Sequence, residues 1–225
     1  MSRQSLESNN SLKGNEMKNL HYEFTGETKK VFGVTLHRIR ATRDLPHFGV
    51  KAGDVGGWIE HTGNLRGNAW VGGEAKVSGN ARVYENAKVF GNAWVFGYAQ
   101  VYGDAEVYGE AYVYQNSRVC DSAKVYGFTR VYGNAEVSGN ARIESSADYF
   151  HAVTYTSKQF NLTLTRQKAG KHLISMGCWE GTIDEFESLI AQPKWYGTME
   201  KDVIKARPEM EALASMMRAR IERWK

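Results

Sequence analysis

Cut into sixes, residues 65–148 read LRGNAW VGGEAK VSGNAR VYENAK VFGNAW VFGYAQ VYGDAE VYGEAY VYQNSR VCDSAK VYGFTR VYGNAE VSGNAR IESSAD. An aliphatic residue opens all fourteen units, from Leu65 to Ile143, with no insertion. Four positions on stands a small residue, alanine everywhere except Ser117 and Thr129. Two positions after the aliphatic, ten of the fourteen units carry glycine, and the next residue is Asn or Asp in eight. The consensus is Val-Tyr-Gly-Asn-Ala-x. Strand side chains alternate, so in Ala-x-Val the alanine and valine point one way and x the other. Gly-Asn supplies the two residue types that best tolerate positive φ, so the chain can turn there. Three such units close a triangular coil of about 18 residues, and coils stack at about 4.8 Å. The stretch amounts to about five coils around a valine–alanine interior.

Outside the repeat, composition bounds the rest. The chain has 225 residues with 23 Gly, 12 Tyr and only 3 Pro, so its glycine surplus is neither collagen-like nor low-complexity. The net charge is +4, and no segment is strongly basic: residues 63–148 carry 8 positive and 9 negative side chains. Duplex DNA is therefore not an expected partner. No apolar run of about 18 residues and no signal-like N-terminus stands out, so no membrane role is expected. The two cysteines, Cys120 and Cys178, follow no metal or redox spacing. The chain reads as a soluble protein of a reducing cytoplasm, with no cofactor and no metal site.

The flanks differ from the repeat. Residues 1–17 are Ser/Asn-rich and read as a disordered tail. Residues 18–62 read as an N-terminal β cap, with a hairpin over 20–43. Residues 63–148 are the coil, and 149–225 an α+β cap and oligomerisation region. That last region holds strand-like stretches at 149–156, 160–165 and 173–176. A helix follows with Thr182 as N-cap and Asp184 and Glu185 in its first turn. A longer helix over 199–224 is expected to break at Pro208. Stacked coils have open ends, and both flanks suit the task of covering them.

The repeat resembles the hexapeptide-repeat family, whose fold is the left-handed parallel β-helix. All fourteen units match the family's aliphatic-then-small pattern. The fold class expected is thus mainly β: a left-handed parallel β-helix with an N-terminal hairpin cap and a C-terminal α+β cap. One departure stands out, since the position after the aliphatic is Tyr or Phe in eight units. The tyrosine-rich coil, the hairpin and the segment GCWEGTIDEF (177–186) together resemble hexapeptide proteins of bacteriophages and prophages. The resemblance implies a homotrimer acting in the cytoplasm of a bacterial host.

Many members of the family are acyltransferases, which the resemblance implies would need a histidine base on the coil. None of the six histidines lies between residues 62 and 150, and no loop interrupts the units. His61 and His151, at the two rims, are the only candidate bases. Cys120 takes a tyrosine position in the repeat and reads as a packed or surface thiol rather than a nucleophile, and nearby Asp121 would push up its pKa. No catalytic residue is assigned.

Positions 18 apart should stack. One face would present Trp70, Lys88, Glu106, Lys124 and Arg142, and another Arg82, Gln100, Arg118 and Glu136. The remaining face would present Lys76, Trp94, Tyr112, Arg130 and Asp148, with two rings between two cations. Lys76, Trp94, Tyr112 and Arg130 are the candidate ligand-binding residues, because rings stack bases and cations hold phosphates. The corner aromatics should form columns: Phe90–Tyr108–Tyr126, Phe96–Tyr114–Tyr132 and Tyr84–Tyr102. Three functions are open on this reading. One is a non-enzymatic binding protein for a host partner or a nucleotide-like ligand, including a nucleotide defence signal. The others are an acyltransferase using His61 or His151, and a structural assembly protein without ligand.

Overall fold

The computed structural model describes residues 20–155, 159–195 and 200–224. The expected tail, residues 1–17, lies outside the described residues, as does Met199. Residues 65–143 wind as a β-solenoid of about five turns, with each aliphatic from Val71 to Ile143 on a two-residue strand and Leu65 in a single bridge to Val83. Partners across the parallel ladders are 18 residues apart on all three faces, for example Val77 with Val95, Val83 with Val101 and Val89 with Val107. Every repeat valine from Val71 to Val137 and the alanines Ala69–Ala141 of the small-residue position are fully buried and form one continuous core. Ser117 and Thr129 sit in the same core, each donating its hydroxyl to a backbone carbonyl (Tyr114 and Tyr126, 2.8 and 2.7 Å).

The periodicity runs one unit further back than Leu65. Trp58 and Ile59 end the strand Val55–Ile59, which pairs in parallel with Lys76 and Val77, so Ile59 is the first interior aliphatic. The unit it opens, IEHTGN (59–64), has a counterpart in the last unit, IESSAD (143–148). Each ends in a 3-10 turn, Thr62–Asn64 and Ser146–Asp148. Each turn is capped by the residue before it, His61 or Ser145, whose side chain accepts a hydrogen bond from a backbone amide of the turn. Asn64 and Asp148 then fold inward, each accepting from two backbone amides, and at the C-terminal end the Glu144 and Ser145 amides have no further coil to donate to. Asp148 therefore does not stand on the outer face with Arg130, as the 18-residue step suggested. It is buried as a cap.

The antiparallel hairpin Tyr22–Val31/Val34–Ala41 adds to one face, giving the sheet order hairpin, Val55–Ile59, then the strands of Lys76, Trp94, Tyr112 and Arg130. Ile39 seals this end of the core, and buried His21 donates from Nε2 to the Ala69 carbonyl at 2.7 Å. At the other end an antiparallel sheet of Tyr149–Tyr155, Gln159–Arg166, His172–Met176 and Trp179–Gly181 closes the coil. Gln167 accepts from the Asn140 amide and donates to the Ser138 carbonyl, pinning this sheet to the last coil. The helix Ile183–Ala191 starts at Thr182 in a reciprocal capping box with Glu185, as its sequence suggested.

The C-terminal helix, Glu200–Glu222, runs through Pro208 without a break. Its buried stripe of Val203, Ala206, Met210, Ala214, Met217 and Ile221 packs in the cap core. That burial outweighs the single backbone hydrogen bond a proline removes. Its end reaches the coil: Trp224 Nε1 and Arg220 both donate to the Ala147 carbonyl.

Candidate ligand-binding face

On the hairpin face, Trp58, Lys76, Trp94, Tyr112 and Arg130 occupy successive strands in register. All four residues singled out from the sequence are thus brought together. The strip gains two aromatic residues that the repeat pattern did not reveal. Trp58 stands 18 residues before Lys76, and extrapolating the period one step back would have found it. Phe32 comes from the tip of the hairpin, where only the strand–Phe-Gly–strand pattern of residues 31–34 hinted at an exposed ring.

Phe32 and Gly33 form the two-residue turn, both at positive φ (47° and 83°). This is the type I′ geometry of tight hairpins, which favours Asn-Gly. A phenylalanine held there costs about 1–2 kcal/mol. Phe32 is 90% exposed, so the core does not require it. Its ring lies parallel to that of Trp94, 9° apart with centroids at 5.6 Å. Trp94 is also tilted against Phe96 (5.0 Å) and Tyr112 (6.3 Å), and its Nε1 donates to Ser78 Oγ at 3.1 Å. The indole is fixed in place.

Cations bracket these rings. Arg130 is exposed and lies 5.9 Å from the Tyr112 centroid. Lys76 is half-buried, and that burial lowers the pKa of its ammonium group, which donates to the Glu74 carbonyl oxygen at 3.1 Å. Beyond Lys76 the strip closes. The Trp58 ring carries Lys29 Nζ at 3.9 Å and the Arg38 guanidinium at 4.8 Å. Glu74 accepts from Lys29, Arg38 and Trp58 Nε1, and the first two hold its carboxyl at about 2. Because Glu74 is half exposed, this cluster ties the hairpin down without much net stability. Large exposed rings flank the strip at the corners: Tyr98 and Tyr132 on one side, Phe128 (80% exposed) on the other.

Neither candidate base is free. His61 Nδ1 accepts from the Gly63 amide at 3.1 Å, and Nε2 faces the Gly79 carbonyl at 3.0 Å. The lone pair that would take a proton is already engaged in capping the turn. His151 faces the Leu162 carbonyl through Nδ1 (3.0 Å), burial lowers its pKa, and its Nε2 is shielded from solvent with no partner. The Cys120 thiol is buried, and that burial pushes it up to about 12, with Asp121 adding to the effect. It packs against Tyr102 in the tyrosine column, so of the packed and surface alternatives the packed one holds. Among the described residues, no group of three His, Cys, Asp or Glu could hold a metal ion. No described helix is long and apolar enough to cross a membrane.

Fold and strip together define a capped β-solenoid with a cation-bracketed aromatic surface. No protein-family model matches the chain, and no curated protein matches it.

Proposed function

We propose that the protein is a non-enzymatic binding protein that holds a small anionic aromatic ligand, of the nucleotide class, on Lys76, Trp94, Tyr112 and Arg130. The observation that carries this reading is the strained, exposed Phe32 laid parallel to a fixed Trp94 between two cationic ends. Four strands at about 4.8 Å span roughly 14 Å, the length of a nucleotide. Stacking of a base on such rings contributes about 1–3 kcal/mol, and Arg130 supplies a fork for phosphate oxygens. In this reading the coil is a left-handed hexapeptide-repeat prism of the phage type. It acts in the cytoplasm of a bacterial host and withholds a nucleotide defence signal.

Calorimetry with a panel of cyclic and linear nucleotides tests this. Trp94→Ala and Arg130→Ala should each weaken the best binder about tenfold or more, with unfolding midpoints little changed. Unaltered affinity in both variants would overturn the assignment. The exposed rings of Tyr98, Phe128 and Tyr132 favour a second reading, in which the same strip packs against neighbouring prisms of a trimer. Light scattering that shows a monomer would remove it. The acyltransferase reading draws no support from His61 or His151, whose ring nitrogens hold backbone or are shut in.

A further inference from the structure

A second site, sharing no residue with the strip, lies where the corner column Phe90–Tyr108–Tyr126 stops. These rings stack at 4.7 and 5.0 Å, with planes 12° and 4° apart. The next step of 18 residues brings Glu144 in place of a ring, so nothing aromatic continues the stack. Tyr126 instead lines a cavity of about 240 Å³ between the last coil and residues 166–170 of the cap.

The walls of that cavity carry three cations, Arg142, Arg166 and Lys168, against the carboxylates of Glu144 and Asp148. Asp148 is already committed. Its Oδ2 takes the Glu144 and Ser145 amides, and its Oδ1 takes Arg166 at 3.2 Å. Arg142 and Lys168 are exposed and have no carboxylate partner among the described residues. The space falls below the range of drug-sized sites, about 300–1,000 Å³, and so suits nothing larger than a mononucleotide.

We propose that this cavity binds a planar aromatic anion of the nucleoside monophosphate class, its ring continuing the tyrosine stack on Tyr126 and its phosphate held by Arg142 and Lys168. Stacking supplies the ring's affinity and the two free cations supply the anion's, so neither half alone should bind well.

The test is calorimetry with AMP, adenosine and inorganic phosphate as probes, on the full chain. Tyr126→Ser is the informative variant, because Ser78 and Ser138 occupy the same position of the repeat and the fold accepts serine there. AMP should bind at least tenfold more tightly than adenosine or phosphate. Tyr126→Ser should weaken AMP about tenfold, and Arg142→Gln with Lys168→Gln should weaken it similarly and abolish its advantage over adenosine. Trp94→Ala should leave this binding event in place. If Trp94→Ala abolishes all AMP binding while the cavity variants do not affect it, the cavity proposal fails and the strip stands alone. If folded protein shows no saturable AMP binding at millimolar concentration, the cavity proposal also fails, while other nucleotides still test the strip.

Discussion

At three corners the repeat's glycine is replaced by Glu85, Gln115 or Asp121, and each holds φ near +60° (59°, 61° and 57°). A side chain in that region costs about 1–2 kcal/mol. Each of the three offsets the cost by accepting a hydrogen bond from the glycine amide one coil on: Gly103 at 2.9 Å, Gly133 at 2.7 Å and Gly139 at 2.8 Å. These three exceptions therefore have a common physical reason, whereas the fourth, Ser145, keeps an extended backbone (φ −143°) and caps the closing turn. Asp121→Ala should destabilise by about 1–3 kcal/mol, because alanine keeps the strained backbone and loses the bond. Asp121→Gly should stay within about 1 kcal/mol of the parent, because it loses both. Urea unfolding of the two variants reads the difference, and equal stabilities would contradict this account. None of these bonds was legible in the sequence. The Gly slot was plain, but which side chain reaches which amide depends on the coil above.

Two-residue strands are too short to hold together alone, so the ladders between coils and the columns at the corners do that work. The columns could be read from the sequence because fourteen units without insertion fix the 18-residue step. Phe96–Tyr114–Tyr132 stack at 5.0 and 5.6 Å, and Tyr84–Tyr102 at 4.9 Å, as that step requires. Tyr108 stacks on both sides, and Tyr108→Ser should cost about 1–3 kcal/mol at about 0.5–1.5 for each ring pair. Circular dichroism should show the β signature unchanged while the unfolding midpoint falls. A collapse of the β signal would mean that the column is part of the fold itself. The period failed to announce its own two ends. IEHTGN lacks the pattern's small-residue signature because glycine replaces the usual alanine, and IESSAD matches an ordinary coil unit. Both ends are set by a buried Asn64 or Asp148, and burial of an x-position residue leaves no mark on the repeat.

Across the whole molecule, one buried and two half-buried histidines sit at the two ends of the solenoid. His21 lies under the hairpin, and His151 and His172 lie in the C-terminal cap. Burial lowers the pKa of all three below the ordinary 6.5. Below that value the unfolded chain takes up protons that the folded one resists, so stability is complete above about pH 6.5 and is lost as pH falls. The thermal midpoint should drop by several degrees between pH 7.5 and 5.5, at about 2–4 °C per kcal/mol for a chain of this size. His21→Gln should flatten that slope, and a slope it leaves unchanged would remove His21 from the account. The sequence by itself determined the coil, its interior, its three faces and the grouping of Lys76, Trp94, Tyr112 and Arg130, because a strict period converts position along the chain directly into position in space. Only the tertiary structure decided that Phe32 reaches Trp94, that Asp148 turns inward, that His61 caps a turn and that the helix passes through Pro208. The first and last depend on contacts between distant segments or on burial outweighing local preference, while the His61 and Asp148 caps are local bonds that the regular period of the repeat conceals.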